Sequence, residues 1–416
     1  MGSVKRGEDM RRLQKVVFVI SVITILVLVT LLGIFLLQEN NSTKDDKVSF
    51  EELFPGEEEF VSNLQEESEG TKEGVSQKRE ETKEEVSENE IENDEQNQQE
   101  TEPVKDVTMI FTGDVLLGNS AGGKYANEGI SGILSETLRQ EMLQADIAMI
   151  NQEFPFSTRG TPMPDKQYTF RVNPAYIRAF ADMGVDVVSL ANNHALDYGT
   201  EALQDTFSTL EQAGIPYVGA GDTKERAAQP TFIKCGERTV GFLAASRVIP
   251  VVSWNIENQQ PGLLCTYDST ALVEAIEETR KNCDYLVVYV HWGIEHQKYP
   301  EEYQRSLAQA YIEAGADLVV GSHPHVPQGI EYYEGKPIIY SLGNFIFNPE
   351  MNGTYILKVL WQASGETQLS VIPIDAVNSF TSEMQGEQSQ EMLRYIEEIS
   401  FDVAIDVDGK VTDISQ

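Results

Sequence analysis

The sequence predicts an α/β fold with largely parallel strands and helices packed outside them. Three observations carry that expectation. Strand-like apolar runs alternate with helix-periodic segments from Val107 to Ile374. A helix-Gly-x-Asp-strand junction occurs twice, as Met183-Gly184-Val185-Asp186 and as Ala314-Gly315-Ala316-Asp317. The main polar clusters fall just after the strand runs, where ligands sit in open α/β sheets.

The N-terminus reads as a cytoplasmic stub, residues 1–15, carrying Lys5, Arg6, Arg11, Arg12 and Lys15. An uncharged apolar run from Val16 to Leu37 follows, and about 20 such residues span a bilayer as a helix. It has no small-residue cleavage site, so it reads as a retained anchor. The basic flank places the N-terminus in the cytoplasm and the remainder outside the cell. Residues 38–104 are rich in Glu, Gln, Asn, Ser and Lys and poor in aromatics. They cannot bury enough apolar surface to offset ordering entropy and are expected to form a disordered acidic linker.

A globular domain is expected over residues 105–375, with 376–416 as a C-terminal extension. Strands are expected at Val107 to Thr112, Asp146 to Ile150, Val187 to Leu190, Pro216 to Val218, Thr239 to Ala245, Tyr285 to Val290 and Leu318 to Val320. Helices are expected at Gly132 to Gln144, Ala175 to Met183, Thr200 to Ala213, Ser269 to Asn282 and Glu301 to Ala314, with Gly214 ending the third and Asp268 capping the fourth. The last part turns mostly β, at Pro337 to Tyr340, Thr354 to Trp361 and Gln368 to Ile374.

Charge and cysteine content exclude some functions. The net charge is −36, from 67 acidic and 31 basic residues, which argues against a nucleic-acid backbone as partner. Three widely spaced cysteines give neither a disulfide framework nor a thiolate metal site. Histidines are few, five in all, and four closely follow a strand run: His194, His291, His323 and His325. Asp114, Asn151 to Glu153, Asn192 to His194, His291 with Glu295, and His323 with His325 therefore form a carboxylate, amide and imidazole set from five strand ends. Such donors suit one or two divalent cations, with Mn, Fe or Zn favoured over Ca or Mg.

These motifs resemble the CapA family of poly-γ-glutamate capsule synthesis proteins, related to the calcineurin-like metallophosphoesterases. The resemblance rests on Thr112-Gly-Asp-Val115, Asn151-Gln-Glu153, Leu190-Ala-Asn-Asn-His-Ala-Leu-Asp-Tyr-Gly199, His291-Trp-Gly-Ile-Glu295, Gly321-Ser-His-Pro-His-Val-Pro-Gln328 and Tyr340-Ser-Leu-Gly-Asn-Phe345. It implies an α-β-β-α sandwich with a dinuclear metal centre at the strand ends. By the same resemblance Asp114, Glu153, Asn193, His291, His323 and His325 are metal ligands, with Glu153 bridging, and His194 protonates a leaving oxygen. The related phosphoesterases carry a histidine two residues after the first aspartate, where this chain has Leu116.

Around that centre, Asp197 could orient His194 or cap the helix at Thr200. Arg171 could clamp an anionic substrate or pair at the surface. Glu295 and His296 are candidates for supporting the ligands, and Tyr340 to Phe345 is expected to pack beneath the site. The implied function is synthesis or export of an anionic surface polymer by a membrane-anchored, metal-dependent hydrolase-like protein, within a polymer-synthesis membrane complex. The alternatives are a phosphoesterase acting on envelope phosphates and a non-enzymatic scaffold. The linker reading has a direct check. Removing residues about 40–100 is expected to leave the melting temperature unchanged, because a disordered segment packs on nothing. A lower melting temperature in calorimetry would show that the segment packs on the domain.

Overall fold

The structure is a computed structural model that describes residues 104–258, 260–347 and 350–415. The expected stub, membrane helix and linker lie outside the described residues, apart from Val104. Among the described residues no helix is long and apolar enough to cross a membrane.

The fold is mixed α/β. The larger, 10-stranded sheet runs in the order Val403–Ile405, Lys410–Asp413, Thr367–Val377, Met351–Trp361, Val107–Val115, Ile147–Gln152, Val187–Ser189, Tyr217–Val218. Asn344–Ile346 and Phe380–Glu383 pair onto it from the side. The 6-stranded sheet runs Gln328–Tyr333, Lys336–Ser341, Leu318–Ser322, Tyr285–His291, Arg238–Ser246, Thr231–Cys235.

Alternation along each strand decides the layers. Met109, Phe111, Ile147 and Met149 from the larger sheet share one apolar core with Phe242, Val287, Tyr289 and Val320 from the smaller. The intervening Ile110, Ala148 and Ile150 pack against Leu138, Met142, Phe180 and Leu203 of the helices outside the larger sheet. Leu243, Leu286, Val288 and Val319 pack likewise against Leu272, Ile276, Ala308 and Tyr311 outside the smaller. Strands buried on both faces read as unbroken apolar runs, which is why they were visible in the sequence.

The Gly-x-Asp junctions have a mechanical explanation. Gly184 takes the left-handed conformation (φ 79°) that ends helix Arg178–Met183. Asp186 then precedes its strand by one residue. Its Oδ2 accepts from Ala148 N at 2.8 Å, while its own N–H donates to Ala148 O at 2.9 Å. Asp317 does the same to Leu286, at 2.9 and 2.8 Å. Asp146 clamps Thr108 and Asp284 clamps Thr239 in the same way. In every case the partner is the second residue of the neighbouring strand, so the four aspartates fix four parallel registers. Burial raises the pKa of Asp186 despite the bond from Ala148, so that clamp specifies register more than it adds stability.

The expectation of largely parallel strands needs correction. Val107–Val115 through Tyr217–Val218 pair in parallel, and so do Arg238–Ser246, Tyr285–His291, Leu318–Ser322 and Lys336–Ser341. Asn344–Ile346 also pairs in parallel, with Val107–Val115, and the remaining pairings are antiparallel, several of them across short turns. The turn Glu334-Gly335 has φ 50° and 72° and closes Gln328–Tyr333 onto Lys336–Ser341. Helix Asn119–Glu128 was not foreseen, since Gly122 and Gly123 lower its propensity. The stretch read as a C-terminal extension joins the larger sheet through Val403–Ile405 and Lys410–Asp413. Its helix Gly386–Glu398 places Met392, Leu393 and Ile396 in the core between the sheets.

Two glycines let backbones meet below the strand ends. A Cβ on Gly113 would lie 1.7 Å from Gly343 O, and one on Gly321 would lie 2.1 Å from Tyr340 O. Both obstacles are main chain and cannot swing aside. Gly113→Ala is therefore expected to cost roughly 4 kcal/mol or more, in the exceptional range for a single substitution. Gly123→Ala meets nothing within 4 Å and is expected to be neutral or to stabilise by about 0.5–1 kcal/mol. Urea titration of both variants checks the contrast, and equal midpoints would refute it.

Candidate metal centre

The register clamps bring the carboxyl ends of several strands to one level. Asp114 pairs with Asn151 on one side and Asn344 on the other, and His291 pairs with both Ser246 and Ser322. Glu153 stands one residue beyond its strand. Asn192, Asn193, His194 and Asp197 occupy the turn after Val187–Ser189. His323 and His325 follow Leu318–Ser322 with φ of 102° and 58°. Non-glycine residues held at positive φ cost about 1–3 kcal/mol each and gather at functional sites.

The side chains converge. Asp114 Oδ1 accepts from Asn151 Nδ2 at 2.8 Å, and its Oδ2 lies 3.4 Å from His325 Nδ1. His291 Nε2 lies 2.8 Å from Asn193 Oδ1 and 3.5 Å from Glu153 Oε1. His325 Nδ1 also lies 2.8 Å from Asn344 Oδ1. The rings of His291 and His323 are 4.8 Å apart, and those of His323 and His325 are 5.9 Å apart.

Two donor groups emerge, Glu153 with His291 and His323, and Asp114 with Glu153 and His325, each with its ligand atoms within 4.8 Å of one another. Glu153 is common to both. It is fully buried, and among the described residues neither carboxylate oxygen has a hydrogen-bond partner; His323 Nδ1 is orphaned in the same way. An unpaired buried carboxylate costs several kcal/mol, so these atoms fit a cation as their partner. The carboxylate, imidazole and amide donors suit a divalent metal ion.

Electrostatics agree. Burial, and then the charge of Asp114, hold the pKa of Glu153 well above the usual carboxylate range. Burial pushes His291 well down, and burial with His325 takes His323 to about 3, so both are neutral and able to ligate. His325 differs. Burial opposes its charge, but the Asp114 hydrogen bond and the charges of Glu153 and Asp114 outweigh that and raise it to about 10. The proton held there stands where a cation would otherwise offset two carboxylates.

Beside the donors lies His194. Asp197 Oδ2 is 2.6 Å from its Nδ1 and also accepts from Phe170 N at 2.7 Å. Asp197 therefore orients His194, while helix Gly199–Ala213 has Tyr198 at its N-cap and no side-chain cap. The ring of Phe170 lies 4.4 Å from that of His194. Burial lowers the His194 pKa, with Asp197 opposing.

Three placements differ from expectation. Arg171 is exposed; it lies over the Tyr198 ring at 4.3 Å and donates to Arg159 O at 2.9 Å, so it neither forms an ion pair among the described residues nor joins the donor cluster. The cation beside His194 is Lys166, bonded to Asp197 Oδ1 and, at 2.5 Å, to Asn193 O. It comes from the loop 157–173, follows no strand, and left no signal in spacing. Glu295 and His296 have exposed side chains, although His296 N donates to Pro324 O at 2.8 Å and props the His-Pro-His turn. Asn344, expected only to pack below the site, holds His325; its place at a strand end in the Tyr340 to Phe345 motif was the available signal. Leu116, at the position of the family histidine, is buried in the apolar core outside the larger sheet.

Comparison with known proteins matches residues 108–349 to the family described as bacterial capsule synthesis protein PGA_cap. The PGA biosynthesis protein CapA of Bacillus subtilis is 31% identical over 273 residues, covering 64% of this chain and 70% of that protein. The capsule biosynthesis protein CapA of Bacillus anthracis is 29% identical over 300 residues, covering 67% and 71%. Among solved structures, a putative 5'-nucleotidase from Staphylococcus aureus aligns with TM-score 0.39 and 16% identity, over 70% of this chain and 58% of that one.

The unpaired carboxylate yields a sign-reversing prediction. A pKa raised in the folded state means that ionised Glu153 opposes folding above the usual carboxylate pKa. In chelator at pH 7, Glu153→Gln is therefore expected to be as stable as the parent or about 1–3 kcal/mol more stable. With manganese or zinc at about 100-fold the dissociation constant, the parent gains about 2.7 kcal/mol, the variant gains less, and the order reverses. Melting curves that keep one order in both conditions would refute a metal role for Glu153.

Proposed function

Because the chain belongs to the bacterial capsule synthesis protein family, PGA_cap, we propose that it acts in synthesis or export of an anionic surface polymer of the poly-γ-glutamate type. The centre at the strand ends would work as a metal-dependent, hydrolase-like site of the metallophosphoesterase kind, for which the helix-sheet-sheet-helix layering is suited. The observation that carries this reading is the buried Glu153 carboxylate, unpaired and shared by two donor groups.

Asp114, Glu153, Asn193, His291, His323 and His325 would hold one or two divalent ions, with Mn, Fe or Zn matching the donors. Such ions polarise a carbonyl or phosphoryl oxygen and activate water at neutral pH. The chain's own residues do the rest. Asp197 keeps the proton on His194 Nδ1, which leaves Nε2 to exchange a proton with the reacting group. An approaching anion favours the imidazolium form, so His194 can then donate to a leaving oxygen. Lys166 neutralises Asp197 and steadies the Asn193 carbonyl. Asn344 and Asn151 orient His325 and Asp114.

In this proposal residues 16–37 anchor the protein in the cell membrane, with 1–15 in the cytoplasm and residues 105–416 outside, held off by the acidic segment 38–104. The partners are the anionic polymer and a membrane complex that makes it. A second reading, a phosphoesterase acting on envelope phosphates, draws on the His194–Asp197 pair beside the donor groups.

The test uses full-length variants restored to a strain lacking the gene, with surface polymer measured as released glutamate. Asp114→Ala and His194→Ala are expected to abolish polymer while the protein level holds. Normal polymer in both would leave a scaffold. Turnover of a chromogenic phosphodiester by the purified chain, lost in the same variants that keep normal polymer, would favour the second reading.

A further inference from the structure

One residue beyond the metal centre lies a second polar feature. Arg247 follows Ser246, which pairs in register with His291, and its backbone N–H donates to His291 O at 2.8 Å. Its side chain turns into a cavity of about 410 Å³ lined by Tyr267, Ser269, Glu302, Tyr303 and Ser306. The other wall is tied to the centre too, since Gly293 N, two residues after His291, donates to Tyr303 OH at 2.8 Å.

The guanidinium is held but not neutralised. One nitrogen donates to Thr266 O at 2.8 Å, and the group lies 4.5 Å from the Tyr267 ring and 5.2 Å from the Tyr303 ring. Among the described residues no carboxylate pairs with it. A guanidinium has five N–H donors, so most of this fork stays available inside a cavity that also offers hydroxyls. Glu302 is the one acid on the lining; it is exposed at the start of helix Glu302–Ala314 and makes no ion pair with Arg247. A planar cation resting against aromatic rings is pre-organised for bidentate binding of a carboxylate or phosphate.

We infer that the Arg247 cavity is an anion-binding subsite that holds one carboxylate of the substrate chain. This rests on the proposed polyanionic substrate and adds where one of its groups is held: Arg247 takes a side-group carboxylate. Arg247 is thus a binding and specificity residue.

The test is calorimetric titration of the full-length chain in detergent and chelator, with a short γ-linked oligoglutamate and, separately, with tripolyphosphate. Arg247→Gln, which keeps length and removes charge, is expected to weaken oligoglutamate binding about tenfold or more, the loss of one charge-assisted bidentate contact. Arg247→Lys is expected to fall between, and Asp114→Ala to keep the Arg247-dependent part. Circular dichroism melting shows which variants remain folded. Arg247-dependent binding of tripolyphosphate alone would uphold the subsite and sink the polyglutamate reading. Equal binding by the parent and folded Arg247→Gln, or no binding of either probe by the parent, would overturn the subsite.

Discussion

Strand register is the constraint on which the rest of this molecule depends. Asp146, Asp186, Asp284 and Asp317 each grip the second residue of a neighbouring strand through a carboxylate and a main-chain bond. A slip of one residue would turn every side chain of that strand to the opposite face. The clamps set register within each sheet, and an irregularity between Phe111 and Asp114 then brings Asp114 level with Asn151, so that a cluster of donors can form at the strands' far ends. Beneath it Gly113 lets the first strand meet the backbone of Gly343, and Gly321 lets two neighbouring strands of the smaller sheet pack closely at Tyr340.

The centre concentrates strain and uncompensated charge. Two histidines at positive φ, a buried carboxylate without partners and an orphaned imidazole nitrogen all stand within a few ångströms. A purely structural core would not retain them, since each costs from about 1 kcal/mol to several. Burial and the charge of Asp114 favour the protonated form of Glu153, and the two carboxylates hold a proton on His325 against burial, which partly offsets those costs in the metal-free chain. A cation would offset them together, by interacting with both carboxylates at once. The surrounding amides of Asn151 and Asn344 carry no charge, and so fix geometry without adding to the repulsion.

The cations nearby are divided by role. Lys166 is half-buried against Asp197 and so is committed to the His194 pair. Arg171 lies against Tyr198 at the surface. Arg247, like Arg171, has no carboxylate partner among the described residues, but it lies against two aromatic rings and lines a cavity. A strongly acidic protein has little general attraction for a polyanion, so local, structured cations have to supply it.

The sequence by itself determined the alternation of strands and helices, because strands buried on both faces must be continuously apolar. It also brought the candidate donors into view, because few histidines fall elsewhere than at strand ends, but for Asp197 it left open whether the residue orients His194 or caps the helix at Thr200. Only the tertiary structure decided how strands divide between two sheets, since that depends on turns and on contacts between distant residues. The antiparallel half, the incorporation of residues 376–415 and the exchange of Arg171 for Lys166 all belong to that second kind. Lys166 reaches Asp197 across 31 residues, through a loop whose path no periodicity encodes. A side chain's place in a site is written locally when a strand carries it there, and not when a loop does.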